Sequence, residues 1–433
     1  MAATYLPYDP QQLLLLPEAM QDWLPQGHLA HFISDTVDQL DLRAFHARYE
    51  QDGPRNQPFH PAMMVKVLLY GYATGVFSSR KIARKLHEDV AFRVLAAGNF
   101  PAHRTIRDFR AIHLQELSEL FVQVVRLARE LGLVKLGTVA IDGTKVKANA
   151  SRHKAMSYGH MVKSEAELKG QIEALLRRAA QADEAEAHEP ELDIPAEIAR
   201  REARLAAIGA AWARLEKRQR EQDRQEGRHV DDQGNTRGPG GGLCKRPLGI
   251  PHEKAQENFT DPDSRIMKRA GGGFDPCYNA QTAVDEAAHI IVAAELDNTA
   301  PDTHWLLPMI QAVHENLGQL PELGLADAGY RSERNLRDSP IELVVALGRE
   351  GKRHAQIDAD THPHTAAMAA TLHTQAGKAA YRKRKWIAEP PNGWIKAVLG
   401  FRQFSLRGLH KARAEWKLVC AALNLRRMAT MRP

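Results

Sequence analysis

Cysteine is scarce: Cys244, Cys277 and Cys420 are the only three in 433 residues. They are odd in number, far apart and never spaced as CxxC, which excludes a disulfide framework and a cysteine zinc site. Such thiols suit a reducing cytosol, so a cytoplasmic location is expected. The 20 histidines form no HxxxH pair and no Cys/His cluster, which argues against zinc catalysis. No apolar run approaches the roughly 20 residues that cross a bilayer. The start, Met1-Ala-Ala-Thr-Tyr-Leu-Pro7, lacks the basic segment and apolar stretch of a signal peptide. No membrane partner is expected. Acid is missing as well, but only locally: between positions 361 and 414 the sole acidic residue is Glu389.

That acid stands in a strongly basic stretch, Tyr381-Arg-Lys-Arg-Lys-Trp-Ile-Ala-Glu389-Pro-Pro-Asn-Gly-Trp-Ile-Lys396. From Lys378 to the end there are fourteen Lys/Arg against two Glu, a balance of +12 in a chain whose total is +6. Everything upstream therefore sums to −6. A lone carboxylate among cations is suited to hold a metal ion beside groups that bind phosphates. Two more acids, Asp142 and Asp327, end short apolar strands upstream, and the trio points to metal-dependent chemistry on nucleic acid. At 433 residues, 43% hydrophobic and 26% charged, the chain is an ordinary globular sequence long enough for two or three domains.

The periodicity divides the chain. Residues 1–130 read as helical; in Pro61–Tyr72 the residues Met64, Val67, Leu68 and Gly71 fall on one face. Ser78 is placed to cap a basic amphipathic helix, a short helix follows from Val90 to Ala97, and a third begins near Thr105 with Arg104, Arg107 and Arg110. Short helices on tight turns, with arginines on the last, fit a helix-turn-helix DNA reader or a bundle with a solvated basic face. Gly137-Thr-Val-Ala-Ile-Asp142-Gly-Thr then reads as a short buried strand ending on Asp142 and Gly143. Residues 161–226 return to helix, broken by Pro190 and Pro195, with a roughly heptad seam of Ile198, Leu205, Ile208, Trp212 and Leu215 in the second arm. A helical hairpin is expected there, serving as a structural insertion or as a contact for a partner or DNA. Residues 227–250, with Gly238-Pro-Gly-Gly-Gly242, read as a flexible loop.

Strands resume at Asn279–Asp285 and His289–Leu296, spaced as a hairpin. A helix from Asp302 turns Trp305, Leu306, Met309, Ile310, Val313 and Leu317 to the core. Strand Gly324–Tyr330, a helix near Ser332 and strand Ile341–Leu347 complete the pattern. The order is strand, insertion, two strands, helix, strand, helix, strand, then helices. It is the order of an RNase H-like core, in which adjacent strands bring Asp142 and Asp327 together across 185 residues. Paired divalent ions need such shared carboxylates, and Mg²⁺ prefers hard oxygens.

At this point the chain resembles a known family, the bacterial insertion-sequence transposases of the DDE type. The motifs that carry the resemblance run in order from His60-Pro-Ala-Met-Met, Tyr70-Gly-Tyr and Ser78-Ser-Arg-Lys-Ile. They continue with Ile141-Asp-Gly-Thr-Lys-Val-Lys-Ala-Asn-Ala-Ser151, Thr260-Asp-Pro-Asp-Ser-Arg-Ile-Met267 and Tyr278–Asp285. Asp327-Ala-Gly-Tyr-Arg-Ser332, Glu389-Pro with Gly393 and Ile395-Lys396, and Gly400–Gly408 complete them. The resemblance implies a mixed α/β fold: an N-terminal all-helical DNA-binding domain (1–130) and an RNase H-like catalytic core (131–160 and 260–433) with basic C-terminal helices. Residues 161–259, between the two parts of that core, are the helical hairpin insertion and flexible Gly-rich loop. It implies Asp142, Asp327 and Glu389 as catalytic, metal-holding residues for two Mg²⁺ ions, with Mn²⁺ as substitute. Around Glu389 it implies a Tyr–Arg–Glu–Lys pattern of DNA contacts: Tyr381, Arg384 or Lys385, and Lys396 on the transposon end.

Arg402, Arg407, Arg104 and Arg107 are further expected DNA contacts. The implied activity is cleavage at element ends and transfer of the freed strand, on double-stranded DNA carrying terminal inverted repeats and on target DNA. A homodimer or higher assembly is implied for synapsis, associated with the bacterial nucleoid when active. Rival readings are a nuclease with the same core but no strand transfer, and a non-catalytic DNA-binding derivative. Pro390 and Pro391 place Glu389 at a helix start or kink rather than mid-helix. Asp261, Asp263 and Asp285 are rival acids, expected at the surface or in support of the site. Asn149 and Ser151 either bind DNA or end the loop.

Overall fold

A computed structural model describes residues 19–49, 57–184, 193–269, 271–348 and 357–431; Met1–Pro7 and the Pro190 break lie outside these. Among the described residues seven α-helices precede the first strand: α1 (Leu29–Gln39), α2 (Arg43–Ala47), α3 (Pro61–Ala73), α4 (Ser79–Glu88), α5 (Val90–Leu95), α6 (His103–Ile112) and α7 (Leu114–Glu130). Proline at the first turn starts α3, where no N–H is missed. The helix is then buried on nearly every side rather than on one stripe. Ser78 occupies the cap position of α4 but its hydroxyl makes no cap bond; Asp89 does cap α5, accepting from Ala91 and Phe92 N–H.

The sheet has six strands: β1 (Thr138–Lys147), β2 (Arg265–Lys268), β3 (Phe274–Asp285), β4 (Ile291–Asp297), β5 (Leu323–Ala326) and β6 (Glu342–Val345). Their order is β6-β5-β1-β3, with β2 and β4 both pairing with β3. β1 pairs antiparallel with β3 and parallel with β5, and β5 is parallel to β6. Two details depart from the sequence reading. β2 is an additional strand, and β1 does not end at Asp142-Gly143. The twelve residues of β3 supply backbone partners as far as Lys147↔Cys277, so pairing overrides a local turn signal.

Between β1 and β2 the chain makes α8 (Tyr158–Glu184) and α9 (Ile194–Gln225), which pack on each other around Tyr158, Met161, Leu168, Ile208, Ala211 and Leu215. Leu205 and Trp212 border that small core, and Ile198 is not part of it. Pro195 lies in the first turn of α9 and breaks nothing. The expected flexible loop instead folds through hydrogen bonds: His229–Val230 pairs with Thr236–Arg237, and Gly249 N–H donates to Asp223 at 2.7 Å.

The remaining helices are α10 (Leu306–Leu317), α11 (Glu333–Arg337), α12 (Pro363–His373), α13 (Gln375–Gly393) and α14 (Leu409–Thr430). α14 lies against β4, α3 and α7, so the N-terminal helices and the sheet share one apolar core. A buried polar chain crosses that junction. Arg110, at the end of α6, donates to Tyr72 Oη (2.8 Å), the Phe77 carbonyl (2.9 Å) and Ser79 Oγ (2.8 Å). Tyr72 Oη donates to Glu415 (2.8 Å), whose other oxygen accepts from the Ser405 and Leu406 N–H groups. Arg110 is therefore an internal residue, unlike the exposed Arg104 and Arg107.

Glu389 is a further correction: it lies inside α13, not at a helix start, and Pro390 and Pro391 are inside the same helix. Pro390 has no N–H for the Trp386 carbonyl, and His289 Nε2 donates to that oxygen instead at 3.0 Å. The mismatch is absorbed beyond Gly393 in a π-helical turn, Trp394–Val398, with Leu399 N–H donating to Trp394.

Candidate active site

Parallel pairing of β1 with β5 aligns Ile141 with Ala326, so Asp142 and Asp327 follow on neighbouring strands. β5 stops there, and Asp327 caps the next turn by accepting from Gly329 N–H at 2.8 Å. β1 continues, carrying Asp142 into the sheet opposite Thr282. Helix α13 lies across this point. Its residues 384, 388 and 392, spaced by four, form one stripe turned to the sheet. Arg384 brings Nη1 to 3.9 Å from Asp142 Oδ1, and Asn392 Nδ2 donates to Asp142 Oδ2 at 3.1 Å. Lys396, half-buried on the π turn, donates to Thr144 Oγ1.

Burial raises the Asp142 carboxyl to about 6, opposed by the Arg384 guanidinium and reinforced by the negative charges of Asp327 and Asp302. Burial also lowers the Lys396 ammonium, with Asp142 opposing the shift. A half-buried carboxylate beside other carboxylates is a place where positive charge would be bound favourably.

Asp302 was read only as a helix start. It accepts from Asn279 Nδ2 (2.6 Å), Gln281 Nε2 (2.8 Å) and Lys145 Nζ (3.1 Å). Side chains alternate across a strand, so these three lie on the face opposite Asp142. Buried Tyr330 donates to Gln281 Oε1 on the same side. The signal available in the sequence was the alternation of the amides Asn279 and Gln281 on one face of the strand. Gly143 fits between the layers only because it has no side chain: a Cβ there would lie 2.6 Å from Gln281 Nε2 and 2.7 Å from Asp302 Oδ1. Gly143→Ala is expected to cost about 1–3 kcal/mol by overpacking, read as a lowered urea midpoint; an unchanged midpoint would show that the layer yields freely.

The other expected residues are distributed as follows. Tyr381 is half-buried with its ring 5.8 Å from the Arg384 guanidinium carbon. Arg384 is buried and turned to Asp142 rather than to solvent, whereas Lys385 is exposed. Arg402 and Arg407 are exposed, and Arg407 Nε donates to the Asn149 carbonyl at 3.1 Å. Arg107 pairs with Asp108 at 2.7 Å. Asp261 and Asp285 are buried, which removes the surface alternative for these two. Asp261 accepts from Tyr278 Oη at 2.8 Å, and Asp285 accepts from the Leu136 and Ala287 N–H groups at 2.8 and 2.9 Å. Asp263 is exposed and caps α14 through Leu409 N–H at 2.9 Å. Asn149 donates to the Ser405 carbonyl at 2.6 Å, and the Ser151 carbonyl accepts from Asn258.

Glu389 is exposed, and its carboxylate makes no hydrogen bond or ion pair among the described residues. Among the described residues no three His, Cys, Asp or Glu side chains form a group able to hold a metal ion. Asp142 and Asp327 fit a divalent cation as adjacent hard-oxygen ligands; Glu389 does not complete a three-carboxylate set with them.

The family model described as Transposase domain (DUF772) matches residues 18–111, and that described as Transposase DDE domain matches residues 344–429. The two matches together support an insertion-sequence DDE transposase. The first match contains Arg104 and Arg107, the second contains α13 with Glu389, and Asp142 and Asp327 lie between them. No curated protein and no solved structure matches the chain. Transposase domains imply DNA binding, and the mixed sheet flanked by helices is that of an RNase H-like core. Among the described residues no helix of this transposase is long and apolar enough to cross a membrane.

Proposed function

We propose that this transposase cleaves phosphodiester bonds at the ends of a DNA element and joins the freed 3′ ends to target DNA. The observation that carries this reading is the placement of Asp142 and Asp327 side by side on parallel neighbours, with Asp142 half-buried between the Arg384 guanidinium and the negative charges of Asp327 and Asp302. Both are assigned as catalytic carboxylates that hold a pair of Mg²⁺ ions. When bound, Mg²⁺ (or Mn²⁺ in its place) supplies activation of the attacking oxygen and stabilisation of the leaving 3′-oxygen.

The chain's own residues set up that chemistry. Arg384 and Lys396 bring positive charge to the Asp142 side, where a phosphate would approach. Glu389, three residues before Asn392 on α13, is proposed as the third carboxylate; exposed as it stands, its side chain would have to turn toward Asp142 and Asp327 to join them. Lys385, Arg402, Arg407, Arg104 and Arg107 present exposed cations, and Tyr381 a half-buried ring, for the DNA backbone. Residues 1–130 serve end recognition, 131–160 with 260–433 catalysis, and 161–259 form the insertion between them. Synapsis of two ends calls for a dimer or higher assembly.

Incubating the purified chain with duplexes ending in the element's terminal inverted repeats, with Mg²⁺ and a target plasmid, tests the proposal. Nicked ends together with joined product are expected. Cleavage without joining would reduce the activity to that of a nuclease, and a mobility shift without cleavage would leave a DNA binder.

A further inference from the structure

Past Asp142, the same face of the sheet leads along a row of cations to an exposed phenylalanine. Thr282 pairs with Asp142, and side chains alternate along a strand, so Ala280, Tyr278, Pro276 and Phe274 follow on that face of β3. Lys396 donates to Thr144, the next β1 residue on that face. Further along, Lys147 N–H donates to the Arg402 carbonyl (3.3 Å), the Phe404 ring packs edge-on against Tyr278, and Arg407 Nε donates to the Asn149 carbonyl (3.1 Å). Beyond Pro276, whose carbonyl accepts from Ala148 N–H, Phe274 stands opposite Lys268 where β2 and β3 join as a hairpin. Phe274 is 55% exposed, and Lys268, Arg402 and Arg407 are exposed too. A Cβ added at Gly271, Gly272 or Gly273 would meet nothing within 4 Å, so this tip stands clear of the other described residues. The acid beside it, Asp275, is neutralised by Arg269 (2.9 Å) and Lys147 (3.2 Å).

An exposed phenylalanine by itself marks nothing; this one closes a row of positive charge that begins at the candidate active site. We propose that the β2–β3 hairpin is a DNA contact of the catalytic core, with Lys268 on a backbone phosphate and Phe274 wedged into a base step from the minor groove. This rests on the reading of Asp142 as the point of cleavage and adds a remote grip on the same duplex. The sign of the row selects the occupant: phosphates match Lys396, Arg402, Arg407 and Lys268 in turn. The strand sets the distance. Eight residues separate Phe274 from Thr282 on β3, a span of about 26 Å at about 3.3 Å per residue. Base pairs stack about 3.4 Å apart, so the hairpin meets the terminal repeat about eight base pairs from the cleaved bond. An apolar side chain inserted there partly unstacks one step and kinks the duplex away from the protein's wedge. The wedge and its flanking lysine fix the register of the end, which phosphate contacts alone leave free to slide.

The test uses the full-length protein and a duplex spanning the flank and the terminal repeat, without divalent ions so that no strand is cut. 2-Aminopurine, which brightens when it is unstacked, is placed singly at successive positions of the repeat. The native chain is expected to brighten it only about eight base pairs from the cleaved bond. Phe274→Ala should remove that signal and weaken binding about tenfold, whereas Phe274→Trp should keep both. Lys268→Ala should keep the signal and reduce the salt dependence of binding by about one phosphate. Circular dichroism confirms folding, and gel filtration follows assembly. A native chain that binds the duplex and cleaves it once Mg²⁺ is added, yet brightens no position, overturns the hairpin contact and leaves the cleavage reading intact. A signal that persists in Phe274→Ala, or that lies beside the cleaved bond, overturns it as well. A change of assembly state in Phe274→Ala with the signal and the affinity for DNA unchanged would make the tip a contact between copies of the chain instead. A native chain that neither binds the duplex nor cleaves it overturns both readings.

Discussion

Asp142→Asn is expected to lower end cleavage at pH 8 by roughly a thousandfold, the rate equivalent of losing several kcal/mol of metal-borne stabilisation, while binding to end DNA should stay close to native. Binding should survive because it would draw mainly on the exposed cations Arg104 and Arg107 on α6, Lys385 on α13, and Arg402 and Arg407 before α14, rather than on Asp142 or the Arg384 that faces it. The same variant carries a second, opposite signature. Burial holds the native Asp142 carboxyl near 6, against an ordinary value of 3.8. Between about pH 4 and 6 the unfolded chain releases this proton while the folded chain keeps it, so the native state loses stability as pH rises through that window. Above it, the ionised carboxylate costs the fold up to about 3 kcal/mol, a cost that an amide avoids. Thermal melts without divalent ions should therefore show Asp142→Asn melting above the native protein at pH 8, with the gap closing by about pH 4. Cleavage by the native protein should fall as pH drops through about 6, where Asp142 takes up its proton. A variant that loses cleavage but melts below the native chain at pH 8 would mean that Asp142 acts chiefly as a structural group.

The pairing of Asp142 with Asp327 was legible because both end apolar segments whose order requires adjacent parallel strands. What was misread has a common origin in long-range contacts. Asp142-Gly143 is a turn signal locally, yet β3 continues the pairing for five more residues. Arg104, Arg107 and Arg110 look like one face, but six residues turn a helix through about 600°, leaving the outer two about 120° apart; Arg110 accordingly points inward to Tyr72. The tandem prolines should break α13, and they do free a carbonyl. His289, nearly a hundred positions earlier, takes that carbonyl and keeps Glu389 within the helix. Asp302 was missed for a related reason: the three partners that mark it as a site residue come from β1 and β3, not from its own neighbourhood.

Glu415→Ala is expected to destabilise the fold by about 3–5 kcal/mol, the largest stability effect of any single change at the junction of the N-terminal helices with the sheet. Glu415 is fully enclosed and Arg110 nearly so, their charged atoms 4.0 Å apart with Tyr72 Oη bridging them. Removing the carboxylate leaves the guanidinium buried without an anion, and strips the Ser405 and Leu406 N–H groups of their acceptor. The cost is set by what is left behind rather than by the strength of the pair, which separates this site from exposed pairs such as Arg43–Asp41, whose charges remain solvated when either partner is removed. Urea unfolding followed by circular dichroism should show the midpoint falling sharply in Glu415→Ala and barely moving in Asp41→Asn. The double variant Arg110→Met/Glu415→Met should cost less than the two single methionine substitutions added together, because removing both charges leaves neither one buried alone. Strict additivity would mean that the two ions do not sense each other and that the helical region is joined to the sheet by apolar packing alone.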